Sequence, residues 1–139
     1  MLLSPRNFKY RKQQKGKSIN RISVKSKNTK KLIFGEIGLK SIEPGRLTAK
    51  QMQSVRQVIN KKIKKLGRLK INVFPHTPIS KKPVEVRMGK GKGNVDHHVF
   101  KVRPGIIIYE IETTFISIAT RALELAQRRL PFKTKIIQN

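Results

Sequence analysis

The run Thr48-Ala-Lys-Gln-Met-Gln-Ser-Val-Arg-Gln-Val-Ile-Asn-Lys-Lys-Ile-Lys-Lys-Leu-Gly67 decides how this chain is read. Thr48 and Gln51 have capping-box spacing, a hydroxyl at the N-cap and an amide three residues on. Met52, Val55, Ile59, Ile63 and Leu66 then recur at intervals of three and four, which draws one apolar stripe along a helix. Gly67 is the expected C-cap, because glycine accepts positive φ. Lys50, Arg56, Lys61, Lys62, Lys64 and Lys65 fall mostly off the stripe, and the last four suit the negative end of the helix dipole. A merely solubilising face usually mixes Glu with Lys. No acid occurs between Pro44 and Val84, so this face is read as one that meets a polyanion.

Outward from this helix the pattern turns to strands. Leu32–Ile42 reads as one or two short strands, and Pro44-Gly45 as a turn. Leu69–Phe74 and Val84–Met88 each alternate apolar and polar residues, as half-buried strands do. Pro75, Pro78 and Pro83 bracket a loop between them that cannot be helical. Val99–Val102 and Gly105–Glu112 are further strands, turned by Pro104-Gly105. A second helix is predicted from near Thr114 to Pro131, with Phe115, Ile118, Ala119, Ala122, Leu123, Ala126 and Leu130 on its apolar face and Arg121, Arg128 and Arg129 outward. Phe132–Ile137 closes the chain as a strand. The expectation is an α+β fold: a single compact domain over residues 32–139, with two helices and mixed, mostly antiparallel strands.

Charge sets the class of partner. The 139 residues hold 33 Lys and Arg against 7 acids, a net charge of +26, with 37% hydrophobic residues. Such a body repels itself unless a dense polyanion neutralises it, and nucleic acid is the natural one. Residues 1–31 hold 11 Lys or Arg and no acid, and form a basic N-terminal extension that RNA is expected to order. A membrane surface is the rival, but no apolar stretch approaches the roughly 20 residues of a spanning helix. No apolar run follows the basic start, which argues against a signal peptide. Pro5 and the polar run Lys9–Lys17 leave no apolar helical face, which argues against a mitochondrial presequence. The absence of Cys excludes disulfides and Cys-based zinc sites.

Catalytic constellations are missing. Arg87-Met88-Gly89-Lys90-Gly91-Lys92-Gly93-Asn94 has neither Walker nor dinucleotide spacing. Alternating glycines make instead a thin loop whose amides and ammonium groups can approach phosphates. His97 and His98 are adjacent, so on a strand they face opposite ways and make a poor metal pair. Glu110 and Glu112 share a strand face but stand alone. Aromatics are few, so Lys and Arg contacts to phosphate and sugar are expected to dominate over base stacking.

Met1-Leu-Leu-Ser-Pro-Arg6, Phe8-Lys-Tyr-Arg-Lys12, Phe34-Gly35, Gly45-Arg-Leu-Thr-Ala-Lys-Gln51, Val73-Phe-Pro75, Val86–Val95 and Leu130-Pro-Phe-Lys-Thr-Lys135 together resemble bacterial-type large-subunit ribosomal protein sixteen, in order along nearly the whole chain. The resemblance implies a hammerhead-type α+β domain without enzymatic activity. It also implies a place on large-subunit ribosomal RNA near the base of the central protuberance, beside the aminoacyl-tRNA site and the peptidyl transferase centre. The loop of Arg87, Met88, Gly89, Lys90, Gly91, Lys92 and Gly93 is then expected to face that centre and its tRNA. Arg6, Lys9, Arg11, Lys12, Lys15, Lys17, Arg46, Lys50, Arg56, Lys61, Lys62, Arg128 and Arg129 are the expected ribosomal RNA contacts, and other ribosomal proteins the neighbours. Residues 17–33 are longer and richer in lysine than the usual family segment, and His97-His98 replace the more usual aromatics. The alternative is a free nucleic-acid-binding protein or RNA chaperone, for which charge alone would suffice. Lys outnumbers Arg by 22 to 11 and Ile is abundant, a bias that suits an AT-rich organelle genome and leads to the mitochondrial matrix as the expected compartment, with plastid stroma and bacterial cytoplasm as alternatives.

Overall fold

A computed structural model describes residues 4–14 and 31–138. Seven strands and two helices follow in the order β1 (Ile37–Ser41), β2 (Gly45–Thr48), α1 (Ala49–Ile63), β3 (Gly67–Ile71), β4 (Thr77–Lys81), β5 (Asn94–Val102), β6 (Ile107–Thr113), α2 (Ile116–Gln127) and β7 (Thr134–Gln138). All described pairings are antiparallel, in a four-stranded sheet ordered β3-β6-β1-β7 and a three-stranded sheet ordered β2-β5-β4. This is the expected α+β class.

The first helix forms for the reasons its sequence states. Thr48 Oγ1 accepts from the Gln51 amide at 3.3 Å, and Gln51 Oε1 accepts from the Thr48 amide at 2.9 Å. Met52, Val55, Ile59 and Ile63 are buried. Each such side chain contributes about 1.5–3 kcal/mol by leaving water. The stripe stops there, and Leu66 is exposed. The helix ends at Lys64, whose φ of 52° supplies the left-handed cap expected of Gly67. Gly67 instead opens β3 opposite Thr113, where a Cβ would come within 2.7 Å of the Glu112 carbonyl oxygen.

α2 packs on α1 and covers β1, β6 and β7, while α1 spans from the small sheet to β3. Ala119, Ala122, Leu123 and Ala126 are the buried positions of α2, so its small side chains bring helix and sheet close. Phe115 is the N-cap and is exposed, as is Ile118, so the buried face of α2 is narrower than its apolar pattern suggests.

Three further expectations are corrected. Val84–Met88 is not a strand: the β4–β5 ladder ends at Lys81 opposite Asn94, and Val84 and Met88 are 96% and 97% exposed. Their alternation has no strand partner among the described residues to give it an inner face. The proline-bracketed loop contains β4, with Pro78 paired to His98. β4 is an edge strand, where a residue without an N–H is tolerated. Glu110 does not stand alone. It is 1% exposed and accepts from the amides of Ile33, Phe34 and Gly35 at 3.1, 2.7 and 3.3 Å and from Asn72 Nδ2 at 2.5 Å.

Candidate nucleic-acid interface

The glycine loop connects β4 to β5, and residues 83–92 are all exposed. Gly89, Lys90 and Gly91 have φ of 98°, 48° and 90°, three consecutive left-handed residues. A Cβ at Gly89 or Gly91 would meet nothing within 4 Å, so backbone conformation rather than space asks for glycine. Lys82 donates to the Gly89 carbonyl and steadies the turn, while Arg87, Met88, Lys90 and Lys92 are exposed. The chain thus presents cations on a thin, protruding strip of backbone.

Arg6, Lys9, Arg11 and Lys12 are exposed on the segment 4–14, which lies against this loop. Lys12 Nζ donates to the Lys92 carbonyl at 3.0 Å, and Phe8 stacks on His98 with centroids 5.0 Å apart. Lys15 and Lys17 lie outside the described residues.

Lys50, in the first turn of α1, is close enough for its charge to act on Asp96 near the loop end of β5, whereas Arg46, on β2, stands opposite Lys101, seven residues along β5 from the loop at Asn94. Asp96 lies in a bulge of β5, between the pairs Ile79–His97 and Ser80–Val95. Its carboxyl is held below the usual range by the hydrogen bond from His97, at 2.8 Å, and by the charges of His97, Lys81 and Lys50. Lys61 and Lys62 sit on the last turn of α1, about 17 Å along its axis from Lys50. Arg56 is half-buried between them. Arg128 and Arg129 are exposed just after α2. Lys61 and Lys62 stand where the end of α1 meets the start of α2, since Gly67 pairs with Thr113, whereas Arg128 and Arg129 stand at the far end of α2, near Phe132, whose ring lies against Gly45 at the start of β2. The expected contacts are therefore spread over several faces of the molecule.

Glu85 is the one acid in the exposed stretch 83–92, and Asp96 stands within reach of the Lys81 and Lys50 charges. Glu110 is spent on backbone amides, Asp96 pairs with His97, and Glu43 pairs with Lys133 at 3.4 Å. Among the described residues no group of three or more His, Asp or Glu could hold a metal, and no helix is long and apolar enough to cross a membrane.

The family described as ribosomal protein L16p/L10e matches residues 5–137, which include the segment, the loop and both helices. The chain belongs to the ribosomal protein L16p/L10e family. The large ribosomal subunit protein uL16 of Acidiphilium cryptum is 46% identical over 136 residues, 98% of this chain and 96% of that protein. The uL16 proteins of Azorhizobium caulinodans and Psychrobacter cryohalolentis are each 45% identical over 137 residues, 99% of this chain and 97% of theirs.

Some features of this L16p/L10e member escape a reading of its sequence. Lys81, Lys82 and Lys101 join the small-sheet surface, Lys101 directly opposite Arg46. The only signal for them was their charge. The contact between residues 8–13 and residues 92–98 spans some 80 positions and leaves no periodic trace.

Proposed function

We propose that the chain is a structural constituent of the large ribosomal subunit. It binds large-subunit ribosomal RNA beside the aminoacyl-tRNA site and the peptidyl transferase centre, and supports tRNA positioning and subunit assembly. It is not an enzyme. The observation that carries the reading is the family match across residues 5–137, with relatives of nearly equal length that are large-subunit proteins. Charge supports it independently: a net +26 on 139 residues calls for a polyanion that touches many faces at once.

In this reading Arg6, Lys9, Arg11, Lys12, Lys15, Lys17, Arg46, Lys50, Arg56, Lys61, Lys62, Arg128 and Arg129 contact ribosomal RNA. Residues 1–31 act as an extension that RNA orders, and residues 32–139 as the folded RNA-binding domain. The loop from Arg87 to Gly93 faces the aminoacyl-site tRNA, a role supported by its exposure and left-handed backbone. Neighbouring ribosomal proteins are the remaining partners. Lysine and isoleucine bias supports an organelle-encoded member working in the mitochondrial matrix, whereas the relatives named above are bacterial.

The test is reconstitution. Large subunits stripped of this protein are rebuilt with the wild type, with Arg87→Met and Lys90→Met together, or with Arg128→Met and Arg129→Met together. Each double variant removes two charges. The loop pair is expected to lower aminoacyl-tRNA binding about tenfold more than the helix-end pair, the effect of one to two lost charged hydrogen bonds. Equal losses would mean that charge alone matters, as for a free nucleic-acid binder.

A further inference from the structure

Residues 4–14 lie outside both sheets, yet they are fastened to the small sheet and its loop at three points. The Phe8 and His98 rings stack with centroids 5.0 Å apart and planes 18° apart. Lys12 Nζ donates to the Lys92 carbonyl at 3.0 Å, and Lys92 Nζ donates to the Gln13 carbonyl. Two lysines thus bridge the gap in opposite directions.

This arrangement works against electrostatics. It sets Arg11 and Lys12 beside a loop that carries Arg87, Lys90 and Lys92, and like charges repel. An aromatic stack and two hydrogen bonds oppose that repulsion. Each ammonium has three donors, and the reciprocal bridge uses one on each. The remaining donors suit oxygens of a backbone with closely spaced phosphates.

We propose that residues 6–13 and the loop 87–93 form one composite RNA-binding surface, assembled on the free protein by the Phe8–His98 stack, which takes neighbouring phosphates of ribosomal RNA between Lys12 and Lys92. This rests on the RNA-binding reading above and adds that two parts of the surface are coupled before RNA arrives. Preassembly lowers the ordering cost at binding. Removing the stack therefore weakens affinity although no charge is lost.

The full chain is titrated with deproteinised bacterial large-subunit ribosomal RNA over a range of salt. Phe8→Ala and His98→Ala are each expected to weaken binding about three- to tenfold, as for one or two side chains that must be ordered anew. Combined, they should cost no more than either alone, because both remove one contact. The slope of log affinity against log salt should not change, and His98→Phe should bind like the wild type. Phe8 lies outside both sheets, so its truncation leaves the fold intact. The docking is also read directly by a spin label on Tyr10→Cys, the only thiol in the chain. It should broaden the amides of Gly91–Gly93 in the RNA-free protein, and Phe8→Ala should abolish that broadening. Absence of broadening in the free protein, or two substitutions whose costs add, would overturn preassembly alone. Failure of the wild type to bind the RNA would overturn the proposed function as well.

Discussion

Glu110 is a carboxylate buried in a protein that has only 7 acids, and it holds four N–H groups from two stretches far apart in sequence. It pins the entry segment Ile33–Gly35 and Asn72 onto β6. Glu110→Gln keeps the size but removes the charge, and turns one acceptor into a donor that faces other donors. The expected loss is about 1.5–3 kcal/mol, read as a lower urea midpoint with an unchanged slope; an unchanged midpoint would show the clasp to be ornamental. His98 titrates at the same scale. Burial first, and then the charge of His97, hold its imidazole below the ordinary 6.5. Phe8 covers one side of the ring, His97 is its chain neighbour, and Pro78 stands across the ladder. Well above 6.5 the ring is neutral whether docked or free, so docking does not change with pH there. As pH falls below 6.5 the undocked ring takes its proton first, and docking weakens until the docked value is passed, where the dependence levels off. Imidazole shifts measured by NMR should show this, and Phe8→Ala should move the titration back towards 6.5.

At the scale of elements, α1 depends on its start. Thr48→Ala removes the acceptor for the Gln51 amide and is expected to cost about 1 kcal/mol, visible as a lower thermal midpoint; Thr48→Ser should recover most of it. The same helix shows what is legible in a sequence. Its N-cap and its stripe are built from residues three or four apart, and both stand where their spacing puts them as far as Ile63. The glycine loop is legible for a similar reason, since glycine states a backbone preference at its own position. β2 and β4 were hidden because a four-residue strand beside Pro44-Gly45 and an edge strand containing Pro78 both carry turn residues. Val84–Met88 misled in the opposite direction, because alternation describes a face only where a partner strand exists. The Glu110 clasp and the Phe8–His98 stack join residues some 38 to 90 positions apart, and no local rule reaches them. The exposed arginines and lysines were legible as charge, but their placement around the molecule was not, because it depends on the directions in which α1 and α2 run.

For the whole molecule the balance is between a modest core and a large charge. Among the described residues, two helices, two sheets and some twenty buried hydrophobic side chains must hold together a body of net charge +26. Salt should therefore act in two opposite ways. It screens repulsion within the free chain, so moderate salt should raise its thermal midpoint. It also weakens binding to RNA through counterion release, with a log–log slope close to −0.9 for each phosphate neutralised on a duplex. Assembly into a particle replaces this bare electrostatic grip by a fitted surface, which resists washing far better than a loose polyanion complex does. The most direct measurement is sedimentation of cell extract through stepped salt washes, with the protein followed by immunoblot. The account predicts that it travels with the large subunit, in about one copy per particle, and stays there through moderate salt. A protein found in the free fraction, or one that leaves every RNA-containing particle at the first wash, would contradict it.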